Sequence, residues 1–222
     1  MPVNKEKYKE IITALGGHTT LVAVSKTKPA EDIQALYDLG QRDFGENYVQ
    51  ELADKQVVLP ADIRWHFIGH LQTNKVKYIA PFVHLVHGVD SLKLLKEINK
   101  QAAKLGRKIE VLLQVHIARE ETKFGMNETE LAAALQEAEQ LPHVCLRGLM
   151  GMASFSDDTA VVRNEFKYLH SLFEKYRLPA ANGCNWSVLS MGMSGDYTIA
   201  MEEGSTMVRI GSLLFGERQY HP

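Results

Sequence analysis

Short apolar, β-branched runs alternate along this chain with longer stretches whose apolar residues recur at helical spacing, and eight such units can be read in order. Leu21 to Lys26 is the first run, and PAEDIQALYDLG follows it with Pro29 in a first helical turn and Gly40 as a stop. Arg42 to Asn47 precedes the helical YVQELADKQ, and Ile63 to His70 precedes TNKVKYIA. VHLVHGVD, ending at Asp90, leads into SLKLLKEINKQAAKLG, and Ile109 to Ile117 leads into NETELAAALQEAEQL. Val144 to Met152 is followed by DDTAVVRNEFKYLHSLFEKY, and Trp186 to Met191 by a short helix near GDYTIAMEEG. Thr206 to Gly216 is the eighth run, and a leading helix is expected over Asn4 to Leu15.

Strands separated by helices run parallel, with right-handed crossovers. Eight units therefore predict one α/β domain over residues 1–222, a (β/α)8 barrel. An open doubly wound sheet would carry G-x-G-x-x-G after its first strand, and the chain has none there.

Composition sharpens this picture only slightly. With 45% hydrophobic and 23% charged residues, the chain can bury a large core. A formal net charge of −2 gives no reason to expect nucleic acid or an anionic membrane as partner. The charged N-terminus lacks the apolar core of a signal peptide, and no apolar run reaches the roughly 18 residues of a membrane span. A cytoplasmic protein is expected. Cys145 and Cys184 lie far apart and outside any C-x-x-C pair, so both are expected as reduced, buried, small apolar residues.

In such barrels the chemistry sits where strands end. Those positions supply Lys26, Glu46 and Asn47, His66 and His70, Asp90, Lys123, Met152, Ser190 to Ser194, and Arg209 to Ser212. A lysine among apolar neighbours loses hydration that favours its charge, so its pKa should fall and expose a nucleophilic amine able to form a Schiff base. In LSMGMSGD and VRIGSLLFG, Ser190 and Ser194 offer hydroxyls, while Gly192, Gly195 and Gly211 let backbone N–H groups approach an oxyanion. Arg209, inside the eighth apolar run, needs a partner: a carboxylate of the barrel floor, or a ring nitrogen of a ligand. A reactive amine, a phosphate cradle and an arginine together call for a small phosphorylated aldehyde, and pyridoxal 5′-phosphate carries all three complementary groups.

The motifs AVSKTKP, DFGENYVQE, WHFIGHLQTNK, TKFGM, GLMGMA, LSMGMSGD and RIGSLLFG run in order through nearly the whole chain. With them the sequence resembles the YggS/PROSC family of pyridoxal-phosphate-binding proteins, similar in turn to the N-terminal barrel of alanine racemase (fold type III). The resemblance implies that Lys26 carries the cofactor as a Schiff base. It implies that Ser190, Met191, Gly211 and Ser212 line the phosphate, that Arg209 faces the pyridine nitrogen, and that Asn47 sits near the ring edge. Lys28 and Lys123 are implied as cationic neighbours of the site. His66 is expected near the pocket wall with no assigned role, and the His66/His70 pair lacks a third metal ligand.

Racemase chemistry needs an acid and a base on opposite faces of the substrate, and only Lys26 can be named here. The racemases draw their second group from a further β domain, and the histidine they carry after the sixth strand is replaced by Met152. The family resemblance implies a non-catalytic protein of cofactor homeostasis, with cofactor-dependent apoenzymes as possible acceptors. A cofactor-dependent amino-acid enzyme with Lys26 as its only base, and a cofactor-free barrel enzyme acting on a sugar phosphate, remain as alternatives. A monomer is expected.

Overall fold

In the computed structural model, which describes residues 3–120, 122–177 and 184–216, eight parallel strands close into one barrel. They are β1 (Thr20–Val24), β2 (Asp43–Glu46), β3 (Arg64–Phe67), β4 (Leu85–Val89), β5 (Ile109–Gln114), β6 (Val144–Met150), β7 (Val188–Ser190) and β8 (Met207–Ile210). Closure is made by β8 against β1, with Val22 opposite Arg209 and Ala23 opposite Ile210.

Helix α1 (Lys5–Leu15) precedes the barrel, capped by the Asn4 side chain on the Lys7 N–H. The crossovers are α2 (Ala30–Tyr37), α3 (Val49–Val58), α4 (Val76–Ile79), α5 (Leu92–Lys104), α6 (Glu128–Ala138), α7 (Thr159–Lys175) and α8 (Tyr197–Glu202), and α9 (Ser212–Phe215) follows β8. Local chemistry sets their starts. Ser91 caps α5, Asp158 caps α7, and Asn127 with Glu130 forms a reciprocal capping box on α6.

Most of the strands read as near-continuous apolar runs because helices cover the sheet outside while side chains fill it inside; β2 (DFGE) and β3 (RWHF) carry polar residues instead. The outer layer packs Ile33, Leu36, Leu52, Leu94, Ile98, Phe166 and Leu169 against the sheet. Each such side chain contributes about 1.5–3 kcal/mol by its burial. A smaller inner cluster comprises Val22, Leu85, Leu112, Met150 and Met207.

Three expectations are corrected. The eighth run is not one strand: it breaks at Gly211 into β8 and the short α9. TNKVKYIA is a 3-10 turn over Thr73–Lys75 that runs into α4. Cys145 and Cys184 are not free thiols but form a disulfide, with Cα atoms 5.4 Å apart across 39 residues of sequence. Cys145 is the second residue of β6, so the bond lies at the N-terminal end of the strands, the face opposite their C-terminal mouth.

Candidate functional site

The C-terminal mouth holds a cavity of about 490 Å³, within the range of small-molecule sites. It brings together Lys26, Lys28, Asn47, Arg209, Gly211 and Ser212, drawn from three separate stretches of the chain. Met152, Phe155, Ser194 and Gly195 complete much of its wall.

Lys26 stands two residues beyond β1, in a turn closed by the Lys28 N–H on the Ser25 carbonyl at 3.0 Å. Thr27 occupies the third position of that turn with φ of 64°. Lys28 points its ammonium at the Phe215 carbonyl, 2.8 Å away, and so ties the end of α9 to the first strand. Lys123 is anchored on the Ala153 carbonyl at 2.6 Å and on Glu120, and does not line the cavity.

Arg209 is buried, and its partners are two carbonyls and a hydroxyl rather than a carboxylate. Nη1 donates to the Ser190 carbonyl at 2.9 Å and to Ser190 Oγ at 2.6 Å, and Nη2 donates to the Gly151 carbonyl at 3.0 Å. Burial lowers its pKa to about 10, which leaves it cationic at neutral pH. Ser190 Oγ lies 3.0 Å from His87 Nδ1. With the Asp43 carboxylate at the far end of the hydrogen-bonded chain able only to accept, neutral imidazoles in between leave Ser190 as the donor to His87. Burial, then neighbouring His66 and the charge of Arg209, push the pKa of His87 well below its ordinary value. A neutral His87 that accepts at Nδ1 donates from Nε2, here to His66 Nδ1 at 2.9 Å. His66 Nε2 in turn donates to Asp43 Oδ1 at 2.9 Å. Since β4 and β7 are not neighbours, the His87–Ser190 bond crosses the barrel interior. Asp43, His66 and His84 place potential metal-ligating atoms within 4.8 Å of one another, but Arg64 and His66 already engage both Asp43 oxygens.

The two late turns are fastened to each other. The Arg209 N–H donates to the Gly192 carbonyl at 2.9 Å, and the Gly211 N–H to Ser194 Oγ at 3.3 Å. Gly192 has φ of 95°, and a Cβ there would lie 2.6 Å from the Ala200 Cβ. Asp196 Oδ1 accepts from the Met193 N–H at 2.5 Å, which folds the 193–196 turn back on itself.

Ser190 and Met191, expected at the phosphate, are fully buried below the cavity and do not line it. Ser190 holds Arg209, and the Met191 N–H is used by the Met207 carbonyl at 3.1 Å. The wall at that turn is made instead by Met193, Ser194 and Gly195. His66 is likewise not at the wall but deep in the barrel. His70 bonds Asp90 at 2.9 Å and stacks on Phe124 with ring centroids 4.1 Å apart. Asn47 does line the cavity, and its Oδ1 is buried with no hydrogen-bond partner. Its backbone is fixed by a close approach of the next loop, where a Cβ on Gly69 would fall 2.4 Å from the Asn47 carbonyl oxygen.

His87, Asp43, Glu51 and Lys55 were not singled out by the sequence. A polar residue at an inward position of an otherwise apolar strand is the signal that marks His87.

The alanine racemase N-terminal domain family model matches residues 4–219. The chain is similar to the pyridoxal phosphate homeostasis protein of Pasteurella multocida (strain Pm70), with 43% identity over 207 residues, 90% of this chain and 87% of that one. It is 41% identical over 215 residues to the protein of the same name from Homo sapiens, covering 90% of this chain and 77% of that one. Among solved structures it resembles PipY of Synechococcus elongatus PCC7942 with PLP bound, at a TM-score of 0.84 and 35% identity, covering 95% and 99% of the two chains. Matched over nearly its whole length, the chain belongs to the pyridoxal phosphate homeostasis protein family, built on the alanine racemase N-terminal domain.

Proposed function

We propose that this protein holds pyridoxal 5′-phosphate as a Schiff base on Lys26, and that it serves intracellular homeostasis of that cofactor without turning over a substrate. One observation carries the reading: Lys26, the buried Arg209 and Asn47 line one cavity beside two interlocked Ser/Gly turns. These residues fit the cofactor. Lys26 would bind its aldehyde, Gly211 and Ser212 with Ser194 its phosphate, and Asn47 would sit near the ring edge. Arg209 would face the pyridine nitrogen, and a guanidinium, which cannot accept a proton, would keep that nitrogen unprotonated. When bound, the cofactor supplies an electron sink, and an unprotonated ring is a weak one.

The lining also argues for storage. Among the described residues, Lys26, Lys28 and Arg209 are its only ionisable side chains, and Lys28 is committed to the Phe215 carbonyl. An acid on the face opposite Lys26, which two-base racemization requires, is not among them. The relatives named above carry the name of a homeostasis protein. A monomer that passes its cofactor to apoenzymes completes the proposal.

The test is α-proton exchange in heavy water with the cofactor-loaded protein and a mixture of amino acids, with Lys26→Ala as control. No exchange above the control is expected. Exchange that disappears in Lys26→Ala would establish a cofactor-dependent enzyme with Lys26 as its base.

A further inference from the structure

The turn that carries Lys26 is held in an unfavourable shape by groups outside the cavity. A positive φ at the third position of such a turn is normally given to glycine or asparagine, yet here the residue is Thr27, β-branched and at 64°. An outlier of this kind persists only where its surroundings over-determine it.

Those surroundings are specific. Lys55, buried on α3, directs its ammonium to three oxygens: the Ser25 carbonyl at 2.8 Å, Glu46 Oε1 at 2.8 Å and Glu51 Oε1 at 2.6 Å. Each of its three N–H bonds therefore has an acceptor. Glu46 Oε1 also accepts from Ser25 Oγ at 2.7 Å, and Glu51 Oε1 accepts from the Thr27 N–H at 2.6 Å. The residues on both sides of Lys26 are thus gripped, Ser25 by its carbonyl and hydroxyl and Thr27 by its amide. Glu51 and Lys55 lie one helical turn apart, so α3 presents both to the same point.

We propose that Lys55, Glu46 and Glu51 form a positioning clamp that fixes the Ser25–Thr27 turn and thereby aims the Lys26 amine into the cavity. The clamp touches no reacting atom. Its effect is on the step in which Lys26 Nζ joins the aldehyde carbon of pyridoxal phosphate and one water leaves, because attack requires the amine to be held near the carbonyl. This inference rests on the reading of Lys26 as the cofactor-bearing lysine.

The experiment follows the growth of visible absorbance when pyridoxal phosphate is added to apo-protein whose fold is verified by circular dichroism. Wild type is compared with Lys55→Met, Glu51→Ala, Glu51→Gln and Lys26→Ala. Glu51→Ala removes the acceptor of the Thr27 N–H, whereas Glu51→Gln keeps an oxygen there without the charge. The clamp predicts that Lys55→Met and Glu51→Ala each slow loading at least tenfold per folded molecule, and that Glu51→Gln loads within about threefold of wild type. Loading of Glu51→Ala within twofold of wild type would overturn it, as would a Glu51→Gln variant no better than Glu51→Ala. If Lys55→Met does not fold, the two Glu51 variants decide the matter. Lysine-type absorbance persisting in Lys26→Ala would refute the underlying cofactor reading instead.

Discussion

Arg209 shows how a single residue is made fit for its place. A buried guanidinium would ordinarily require a carboxylate. Here two carbonyls and the Ser190 hydroxyl accept its hydrogen bonds, and the nearest anion in its hydrogen-bonded chain is Asp43, reached through His87 and His66. The fork geometry matters as much as the charge, because a lysine offers no planar pair of donors to span Ser190 and Gly151. Arg209→Lys is therefore expected to weaken pyridoxal phosphate binding about tenfold, or about 1.4 kcal/mol, in an equilibrium titration followed by absorbance. That Lys26 and Asn47 reach the cavity was legible because each ends an apolar run, and that Arg209, Gly211 and Ser212 reach it because a charge and a Ser/Gly turn interrupt the eighth. Ser190 and Met191 were placed one layer too high. Depth along a strand depends on where the strand stops, and β7 stops at Ser190, so the exposed turn begins only at Met193.

At the scale of elements, most of the eight strand–helix units were legible from hydrophobic period, because a parallel barrel buries both faces of every strand, whereas β2, DFGE, was legible only from its place between two helical stretches. The break in the eighth run was not. VRIGSLLFG is apolar throughout, and only the backbone turn at Gly211 separates β8 from α9. The disulfide was hidden for a different reason. Residues 145 and 184 become neighbours only once α7 carries the chain across and back, and spacing in sequence does not report that. Closing a 39-residue loop should stabilise the fold by about 3–4 kcal/mol through the unfolded chain. Reduction by dithiothreitol is thus expected to lower the midpoint of urea unfolding. Cofactor loading should stay within twofold, since the bond lies at the opposite end of the barrel. A reduced protein as stable as the oxidised one would contradict this. Gly192→Ala belongs to the same scale. It forces a side chain into a left-handed turn and against Ala200, and is expected to weaken cofactor binding with little change in the far-ultraviolet circular dichroism.

At the scale of the whole molecule, the barrel buries the imidazoles of His66 and His87 and half-buries that of His84, and His84 and His87 shape its response to acid. Burial, then neighbouring His66, lowers the pKa of His84 to about 4 from an ordinary 6.5. Between those values the unfolded chain binds a proton that the folded one refuses, so stability falls as pH falls through that window. His87, lowered well below its ordinary value by burial, acts in the same direction. Asp43 adds to it below roughly pH 4. Burial alone would raise its pKa, but the hydrogen bonds from Arg64 and His66 outweigh that and hold its carboxyl well below the usual range. The apo-protein should accordingly be less stable to urea at pH 5 than at pH 7, and His84→Gln should narrow the difference. The network was invisible in the sequence because it joins strands two, three, four, seven and eight across the interior.

The proposed function places one phosphorylated aldehyde on one lysine at the barrel mouth, and borohydride reduction followed by peptide mapping tests that placement. Protein incubated with pyridoxal phosphate and then reduced is expected to carry a single pyridoxyl phosphate adduct on the Lys26 peptide, and Lys26→Ala is expected to carry none. Adducts spread over Lys28, Lys123 and other surface lysines, with Lys26 unmodified, would show that Lys26 is not the cofactor-bearing residue.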